Sequence, residues 1–319
     1  MRFGLVGLGQ MGRHHARLLS DSEEVEFVGA VDPARDRPVS MHRGAIYESL
    51  EDLLGEGIEA AIVAVPTAAH REVALELAES GVHTLIEKPL ADSVSAAEDI
   101  RNGFETASVF GAVGHVERFN SALQELKKRL DGGGLGRVIS IATERVGPFP
   151  NRIQDVGVVK DLATHDIDII SWIGGSKFEE ISGQSAHKMG RPHEDLVVAT
   201  GRLESGVVVS MNVNWLTPVK RRTVSVLGEG GSFVADLIAG DLFFFNNADV
   251  GSEWDQIAQV RGVSEGDMTR FAFPKREPLA GEHEAFRRGI REGAAEGLVT
   301  LGEGVQILEV AERMLASSR

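Results

Sequence analysis

The chain predicts an α/β fold in which an N-terminal doubly wound parallel sheet is followed by an α+β domain with a largely antiparallel, open-faced sheet. Three observations carry this. Strand-like and helix-like segments alternate as far as Gly114, the rhythm of a parallel sheet with crossover helices. Beyond a glycine cluster, Gly132 to Gly134 with Gly136, strand-like runs follow one another with few helices between them. The length of 319 residues corresponds to roughly two domains of about 150 residues each.

Residues 2–7 (RFGLVG) are a short apolar run that enters glycines, 25–31 (VEFVGAV) are a second, and the helix-permissive stretch 11–20 lies between them. Runs of this length bounded by turn residues read as strands. The alternation continues through 59–66 (EAAIVAVP), a helical segment at 70–80, 83–89 (HTLIEKP), a helix near 91–102, and 108–114 (SVFGAVG). In the second half the strand candidates are 138–146, 179–186, 195–203, 206–215, 222–228, 231–237 and 241–246, with short turns such as Glu204-Ser205-Gly206 between them. Connections this short make antiparallel neighbours. One strong helix, 158–173, interrupts the strands. Two more are expected at 281–292 and 303–316, the last with Val305, Leu308, Ala311 and Leu315 on one face. The domain boundary is placed after Arg118, giving domains of 1–118 and 119–319.

Composition excludes several classes of function. Acids outnumber bases by 48 to 33, a formal charge of −15, so no general basic footprint attracts nucleic-acid phosphates or anionic lipid. The longest apolar stretch, Ala60 to Ala69, is broken by Pro66 and falls far short of the ~20 residues a membrane-spanning helix needs. The chain has no cysteine, which removes disulfides, thiol nucleophiles and thiolate metal sites together. A soluble, cytoplasmic protein is the expectation. No H-E-x-x-H or comparable ligand set occurs, so no metal is expected.

Gly7-Leu8-Gly9-Gln10-Met11-Gly12 fits G-x-G-x-x-G, and Asp32 stands 20 residues beyond Gly12 at the end of the second strand. The pattern follows a strand and opens a helix. Bare backbone amides and the helix N-terminus can therefore accept a pyrophosphate, as in Rossmann dinucleotide-binding units. Packing alone is the other reading of such a turn; strand, helix and acid in place together favour a dinucleotide. Asp32 can accept hydrogen bonds from ribose hydroxyls and repels a 2′-phosphate, which favours NAD over NADP. Arg35 and Arg37 follow closely and suit adenine stacking or a 2′-phosphate, so NADP or dual use stays open. His14 and His15 read as capping or packing residues.

Glu87-Lys88-Pro89 ends the fifth strand, and with GLVGLGQMGRHHA and AVPT (64–67) it resembles the glucose-fructose oxidoreductase and inositol dehydrogenase (Gfo/Idh/MocA) family along essentially the whole chain. The resemblance implies NAD-dependent oxidation of a sugar hydroxyl. It places Lys88 beside the nicotinamide ribose and the reacting hydroxyl. It also assigns Gly7, Gly9, Gln10, Met11, Gly12, Asp32, Pro66, Thr67, Glu87 and Lys88 to the cofactor. Independently, the carboxyl end of a strand in a doubly wound sheet faces the ligand crevice, where a lysine lowers the pKa of a substrate alcohol.

The segment Gly157 to Asp168 (GVVKDLATHDID) is similar to the family's D-x-x-x-H catalytic segment. On a helix Asp161, His165 and Asp168 share a face, with Leu162, Ile169 and Ile173 forming the adjoining apolar stripe. An imidazole titrates near operating pH and suits a general base. The resemblance therefore implies that His165 takes the hydroxyl proton while Lys88 and Asp161 orient and polarise that hydroxyl.

Gly114 to Asn120 (GHVERFN), expected to bridge the domains, looks with that helix most like the branch oxidising the 3-hydroxyl of UDP-N-acetylglucosamine. Arg118, Asn120, Lys160, Asp161 and His165 are the substrate-binding candidates, and Arg145 and Arg152 add to the cations suited to a diphosphate. Salt bridging is the other reading of Arg118. Two departures from the branch pattern are Ser121, where proline usually follows the asparagine, and Lys160, where an apolar residue precedes the aspartate. A dehydrogenase of a free polyol such as myo-inositol, or a non-catalytic NAD-sensing regulator, are the alternatives. Val197, Ala199, Val207 and Val209 suggest a sheet face too apolar for water, and the resemblance implies a homodimer or homotetramer through that sheet.

Overall fold

The structure, a computed structural model, describes residues 1–34, 41–150, 156–248, 266–293 and 297–318. Arg35, Arg37 and Arg152, weighed above, lie outside the described residues. The chain divides into two compact units, Met1–Val116 with Glu277–Glu309, and Glu117–Arg276 with the residues from Val310 on.

The first unit begins with β1 (Arg2–Val6), α1 (Gln10–Asp21), β2 (Glu26–Val31), β3 (Ala45–Tyr47), α2 (Leu50–Gly55), β4 (Ala60–Val63), α3 (His70–Glu79), β5 (His83–Glu87), α4 (Val94–Ala107) and β6 (Gly111–Gly114). The second unit holds α5 (Ser121–Asp131), β7 (Val138–Pro148), α6 (Thr164–Gly174), β8 (Phe178–Ala186), β9 (Leu196–Leu203), β10 (Val208–Asn214), β11 (Leu216–Gly228), β12 (Gly231–Asp236), β13 (Asp241–Asn246) and β14 (Met268–Arg270). The chain then returns to the first unit with α7 (Pro278–Glu292), β15 (Val299–Thr300) and the first half of α8 (Leu301–Ser317). Local signals start these helices: a reciprocal Ser49/Asp52 capping box for α2, Ser93 capping α4, and Pro278 in the first turn of α7.

The first sheet has the order β15-β6-β5-β4-β1-β2-β3 and is parallel except at β15. Strand order reverses between β1 and β4, whose carboxyl ends form the switch point where doubly wound sheets bind ligands. The second sheet, β14-β13-β12-β11-β7-β10-β9-β8, is antiparallel apart from the β7–β10 pair. The expected α/β plus α+β class is what the chain forms. Among the described residues no helix is long and apolar enough to cross a membrane.

Three expectations need correction. The second domain does not run unbroken from 119 to 319. Val299 pairs with Val113 of β6, and the Phe286 ring of α7 lies 6.1 Å from Phe3 and 6.0 Å from Phe110, so both belong to the first unit. An amphipathic helix declares an apolar face but not which sheet the face will cover. Next, Val197, Ala199, Val207 and Val209 are buried within their own unit; the pleat turns their neighbours outward instead. The exposed face carries Val208, Ser140, Leu227, Ser232, Phe245 and Met268 as one row of paired residues across six strands. Finally, 158–173 is not one uninterrupted α-helix. Residues Val159–Ala163 form a wider turn, in which the Thr164 N–H bonds the Val159 carbonyl five residues back, before α6 begins. The sequence reading had also passed over α5, although Ala122, Leu123 and Leu126 give it a buried stripe behind the Asn120 cap.

Candidate active site

In the first unit the site is built on the turn that leaves β1. Gly7 adopts φ +99°, and a Cβ there would lie 2.5 Å from the Ala64 carbonyl oxygen at the end of β4. A Cβ on Gly12 would lie 2.0 Å from the Gly7 carbonyl oxygen, so both positions demand glycine. The α1 N-cap, Gly9, supplies no side-chain acceptor, and the first turn holds no acid. A backbone cradle and a helix N-terminus with no anion of their own fit the pyrophosphate of a dinucleotide. Asp32 is buried. Its Oδ2 accepts the Leu8 N–H at 2.6 Å and its Oδ1 the Ala34 N–H at 2.7 Å. From the end of β2, the place where a ribose-binding acid stands in a dinucleotide unit, the carboxylate thus braces the glycine turn.

Pro66 and Thr67 open a short 3₁₀ turn after β4. The buried His70 ties that turn to the next one: its Nε2 lies 3.1 Å from the Val65 carbonyl, and its Nδ1 3.0 Å from the Pro89 carbonyl. Lys88 is half-buried at the end of β5, followed by a cis peptide to Pro89. Behind it, Glu87 is buried. Its Oε1 lies 2.8 Å from His15 Nε2, and its Oε2 accepts the Lys88 N–H at 3.2 Å. Burial pushes this carboxyl up, but the hydrogen bond and charge of His15 and the charge of Lys88 outweigh it and hold Glu87 ionised. His70, and His15 as the partner of Glu87, had not been anticipated from the sequence, because what they bond lies far along the chain.

Glu282 of α7 sits in the same interior at 0% exposure, with no hydrogen-bond partner among the described residues for either carboxyl oxygen. Burial, and then the negative charge of Glu87, hold its carboxyl well above the ordinary 4.5. The folded chain therefore keeps a proton that the unfolded chain releases above about 4.5, and stability must fall as pH rises from there through the raised value. Glu282→Gln removes that slope. Urea unfolding at a series of pH values should show the variant matching wild type at the acid end and gaining ~1.4 kcal/mol per pH unit within that window. Parallel stability curves would contradict the burial of a protonated carboxyl.

In the second unit, Glu194 holds the start of the candidate catalytic segment. Its carbonyl accepts the Val158 N–H at 3.1 Å and its carboxylate the Val159 N–H at 2.9 Å. Lys160 and Asp161 follow on the wide turn, with the Lys160 carbonyl accepting the Thr164 hydroxyl at 3.0 Å. His165 stands on the first turn of α6, and all three side chains are half-buried. Asp168 parts company with them. It is buried against Arg118, whose Nε and Nη2 lie 3.0 and 2.6 Å from Asp168 Oδ1. Arg145 is likewise enclosed, 2.7 Å from Glu117 and 2.8 Å from Asp166, and those two carboxylates hold its charge firmly. Burial pushes the Asp166 carboxyl up in spite of Arg145. Asn120 caps α5 through its Oδ1 and donates from Nδ2 to the Leu237 carbonyl at 3.0 Å.

Of the cations put forward for a diphosphate, Arg118 and Arg145 are thus committed to buried carboxylates. Lys160 remains half-buried beside Asp161. Arg222, unremarked in the sequence because it opens an ordinary strand, is one-third exposed, bonds Glu117 at 3.1 Å and lies in the field of Asp161. Among the described residues no group of three or more histidines and carboxylates is placed to hold a metal ion.

Comparison with known proteins settles the family. Residues 1–115 match the model of an oxidoreductase family with an NAD-binding Rossmann fold, and residues 123–234 match the GFO/IDH/MocA C-terminal domain. The chain belongs to the Gfo/Idh/MocA oxidoreductases. Among similar members of this family, the UDP-N-acetylglucosamine 3-dehydrogenase of Acidithiobacillus ferrooxidans is 25% identical, over 91% of this chain and 88% of its own. Myo-inositol dehydrogenase Hyg17 of Streptomyces leeuwenhoekii is 28% identical, over 95% of this chain and 98% of its own. The solved structure of the A. ferrooxidans enzyme, GnnA, superposes with a TM-score of 0.84 at 23% identity, covering 100% of this chain and 97% of that one. The Gfo/Idh/MocA fold is therefore shared along the full length.

Proposed function

We propose that this Gfo/Idh/MocA member is an NAD-dependent dehydrogenase of a secondary hydroxyl on a sugar or nucleotide sugar, with the 3-hydroxyl of UDP-N-acetylglucosamine as its point of action. The observation that carries the reading is the Gly7 and Gly12 cradle beside Asp32, on the same β-sheet edge as Lys88. The similarity to the A. ferrooxidans enzyme along nine-tenths of the chain supports the substrate. NAD, when bound, supplies the acceptor for hydride at its nicotinamide C4. Gly9, Gln10, Met11 and Gly12 would hold its phosphates through backbone N–H groups, with Gly7, whose own N–H goes to the Val31 carbonyl at 2.8 Å, shaping the turn; Asp32 would hold its ribose, and Pro66, Thr67 and Glu87 would line its nicotinamide end.

His165 takes the substrate hydroxyl proton as general base. Asp161 and Lys88 orient that hydroxyl and stabilise the negative charge it gains as the proton leaves. Lys160 and Arg222 supply positive charge on the substrate side for a diphosphate, and the earlier candidates Arg118 and Asn120 serve by fixing the elements that carry the site. Oxidation of a free polyol is the second reading, favoured by the similarity to Hyg17 over 95% of the chain. Incubating the purified protein with NAD and a panel of UDP-sugars and free polyols separates the two. UDP-N-acetylglucosamine should give the highest rate of nicotinamide reduction. A higher rate with myo-inositol would transfer the assignment, and reduction with neither would overturn it.

The buried Asp32 carboxylate repels a 2′-phosphate, so NAD should bind more tightly than NADP, and Asp32→Ala should narrow the difference. Titrating both cofactors into both proteins checks this; tighter NADP binding by wild type would contradict it.

We also propose a homo-oligomer, a dimer or a pair of dimers, formed through the open face of the second sheet. Val208, Leu227, Phe245 and Met268 are each more than 40% exposed, and Thr200, Ser210, Ala142 and Ser225 form a flat adjoining row. Exposed apolar side chains beside a row of small ones suit a second copy. Light scattering at micromolar concentration should give a multiple of 34.3 kDa; the monomer mass would dismiss the idea.

A further inference from the structure

Three buried side chains from three elements form one chain of hydrogen bonds behind Lys88. Glu87 Oε1 meets His15 Nε2 at 2.8 Å, and His15 Nδ1 meets His283 Nε2 at 2.8 Å. His15, from α1, is 0% exposed, and His283, from α7, is 5% exposed. The hydride-transfer reading uses none of this chain beyond Glu87. We infer that His15 is a positioning residue, holding the Glu87 carboxylate and through it the backbone at Lys88, with His283 fixing the His15 ring.

The hydrogen-bond logic leaves little freedom. A buried carboxylate without a donor is costly, and Glu87 has two: the His15 ring and the Lys88 backbone N–H. Burial first, and then the positive charges of His15, Arg287 and Arg17, hold His283 well below its ordinary range and neutral. Its Nε2 then either donates to His15 Nδ1 or accepts from it. Whichever it does, the Glu87 carboxylate can only accept, so it is the His15 Nε2–H that faces Glu87. The surrounding groups keep this arrangement. Arg17 of α1 and Arg287 of α7 are paired with Glu277 and Glu24. Glu282 of α7 is protonated, and His70 of α3 is held low by burial. Among these groups the negative charge is carried by Glu87.

Removing the His15 donor leaves that charge with one backbone bond of 3.2 Å and the Lys88 ammonium as the nearest compensating charge on its own strand. Glu87 then competes with the cofactor and the substrate hydroxyl for Lys88. Because this rests on reading Lys88 as the residue beside the nicotinamide ribose, the test must separate the two claims.

Asparagine places its amide near the Nδ1 position of histidine and glutamine near Nε2. His15→Gln therefore keeps the bond to Glu87, while His15→Asn keeps only the side facing His283. Both variants lose one half of the relay; His15→Asn, which leaves the buried Glu87 carboxylate short of a donor, should melt below His15→Gln, so binding is compared at a temperature at which both are folded. NADH titration followed by nicotinamide fluorescence should show His15→Asn weakened tenfold or more and His15→Gln within about threefold of wild type. The same split should appear in kcat with the best substrate. Equal binding by all three proteins, or equal loss in both variants, would overturn the inference. A wild type that binds no NADH, or a Lys88→Ala variant that binds as wild type does, would overturn the reading of Lys88 and the inference with it.

Discussion

His165→Ala should lower turnover by about 10² to 10⁴, the usual contribution of a positioned general base, and should leave NAD affinity nearly unchanged. The reasoning is one of location. His165 stands on α6 of the second unit, whereas the cradle of Gly7, Gly9 and Gly12 with Asp32 is in the first. Loss of the imidazole removes a proton acceptor without touching the cofactor's phosphates or ribose. Activity in the oxidative direction should decline on the acid side as the base becomes protonated, and this limb should vanish in the variant. Lys88→Ala should behave differently, since the proposed function puts Lys88 beside the nicotinamide ribose, where it serves both binding and chemistry; KM for NAD and kcat should both suffer. Steady-state kinetics across pH for the three proteins make the comparison. Near-wild-type turnover by His165→Ala with the same acid limb would move the role of base to Asp161 or Lys88.

Arg118→Ala should destabilise the protein by about 3–5 kcal/mol, the penalty for removing one member of a buried ion pair. Asp168 is 1% exposed and loses three contacts of 3.1 Å or less when the guanidinium goes. A residue that merely touched substrate would raise KM and leave the unfolding midpoint in place. Replacing both partners, Arg118→Leu with Asp168→Leu, should recover much of the loss because no charge is then buried alone. Urea unfolding of the single and double variants, with KM for the best substrate, decides between the roles. A single variant that unfolds like wild type but binds substrate tenfold less well would return Arg118 to the substrate.

The fold was legible where the signal is local. Gly7 to Gly12, the β-branched runs, and the turns at Glu204-Ser205-Gly206 and at the glycines after α5 each carry their own instruction, so both sheets could be anticipated. Partnership across distance was not legible. Nothing in the sequence near Arg118 says that a residue fifty positions later will neutralise it, and nothing near Glu87 announces His15 or His283. The alternation of Val197 and Ala199 with their neighbours was plain. Which of the two faces a helix would cover depends on packing that no strand encodes alone. The wide turn at Val159–Ala163 escaped for a related reason: its composition suits an α-helix, and the Glu194 carboxylate that accepts the Val159 N–H comes from another part of the chain.

The central claim is that this chain moves hydride between a sugar carbon and NAD. The most direct measurement uses UDP-N-acetylglucosamine carrying deuterium on the carbon of the 3-hydroxyl, incubated with NAD and the purified protein, with the nicotinamide recovered and weighed by mass spectrometry. Deuterium at the reduced nicotinamide, with a slower rate than for unlabelled substrate, is the predicted result. Unreduced nicotinamide and unchanged sugar, or deuterium appearing in water, would contradict it.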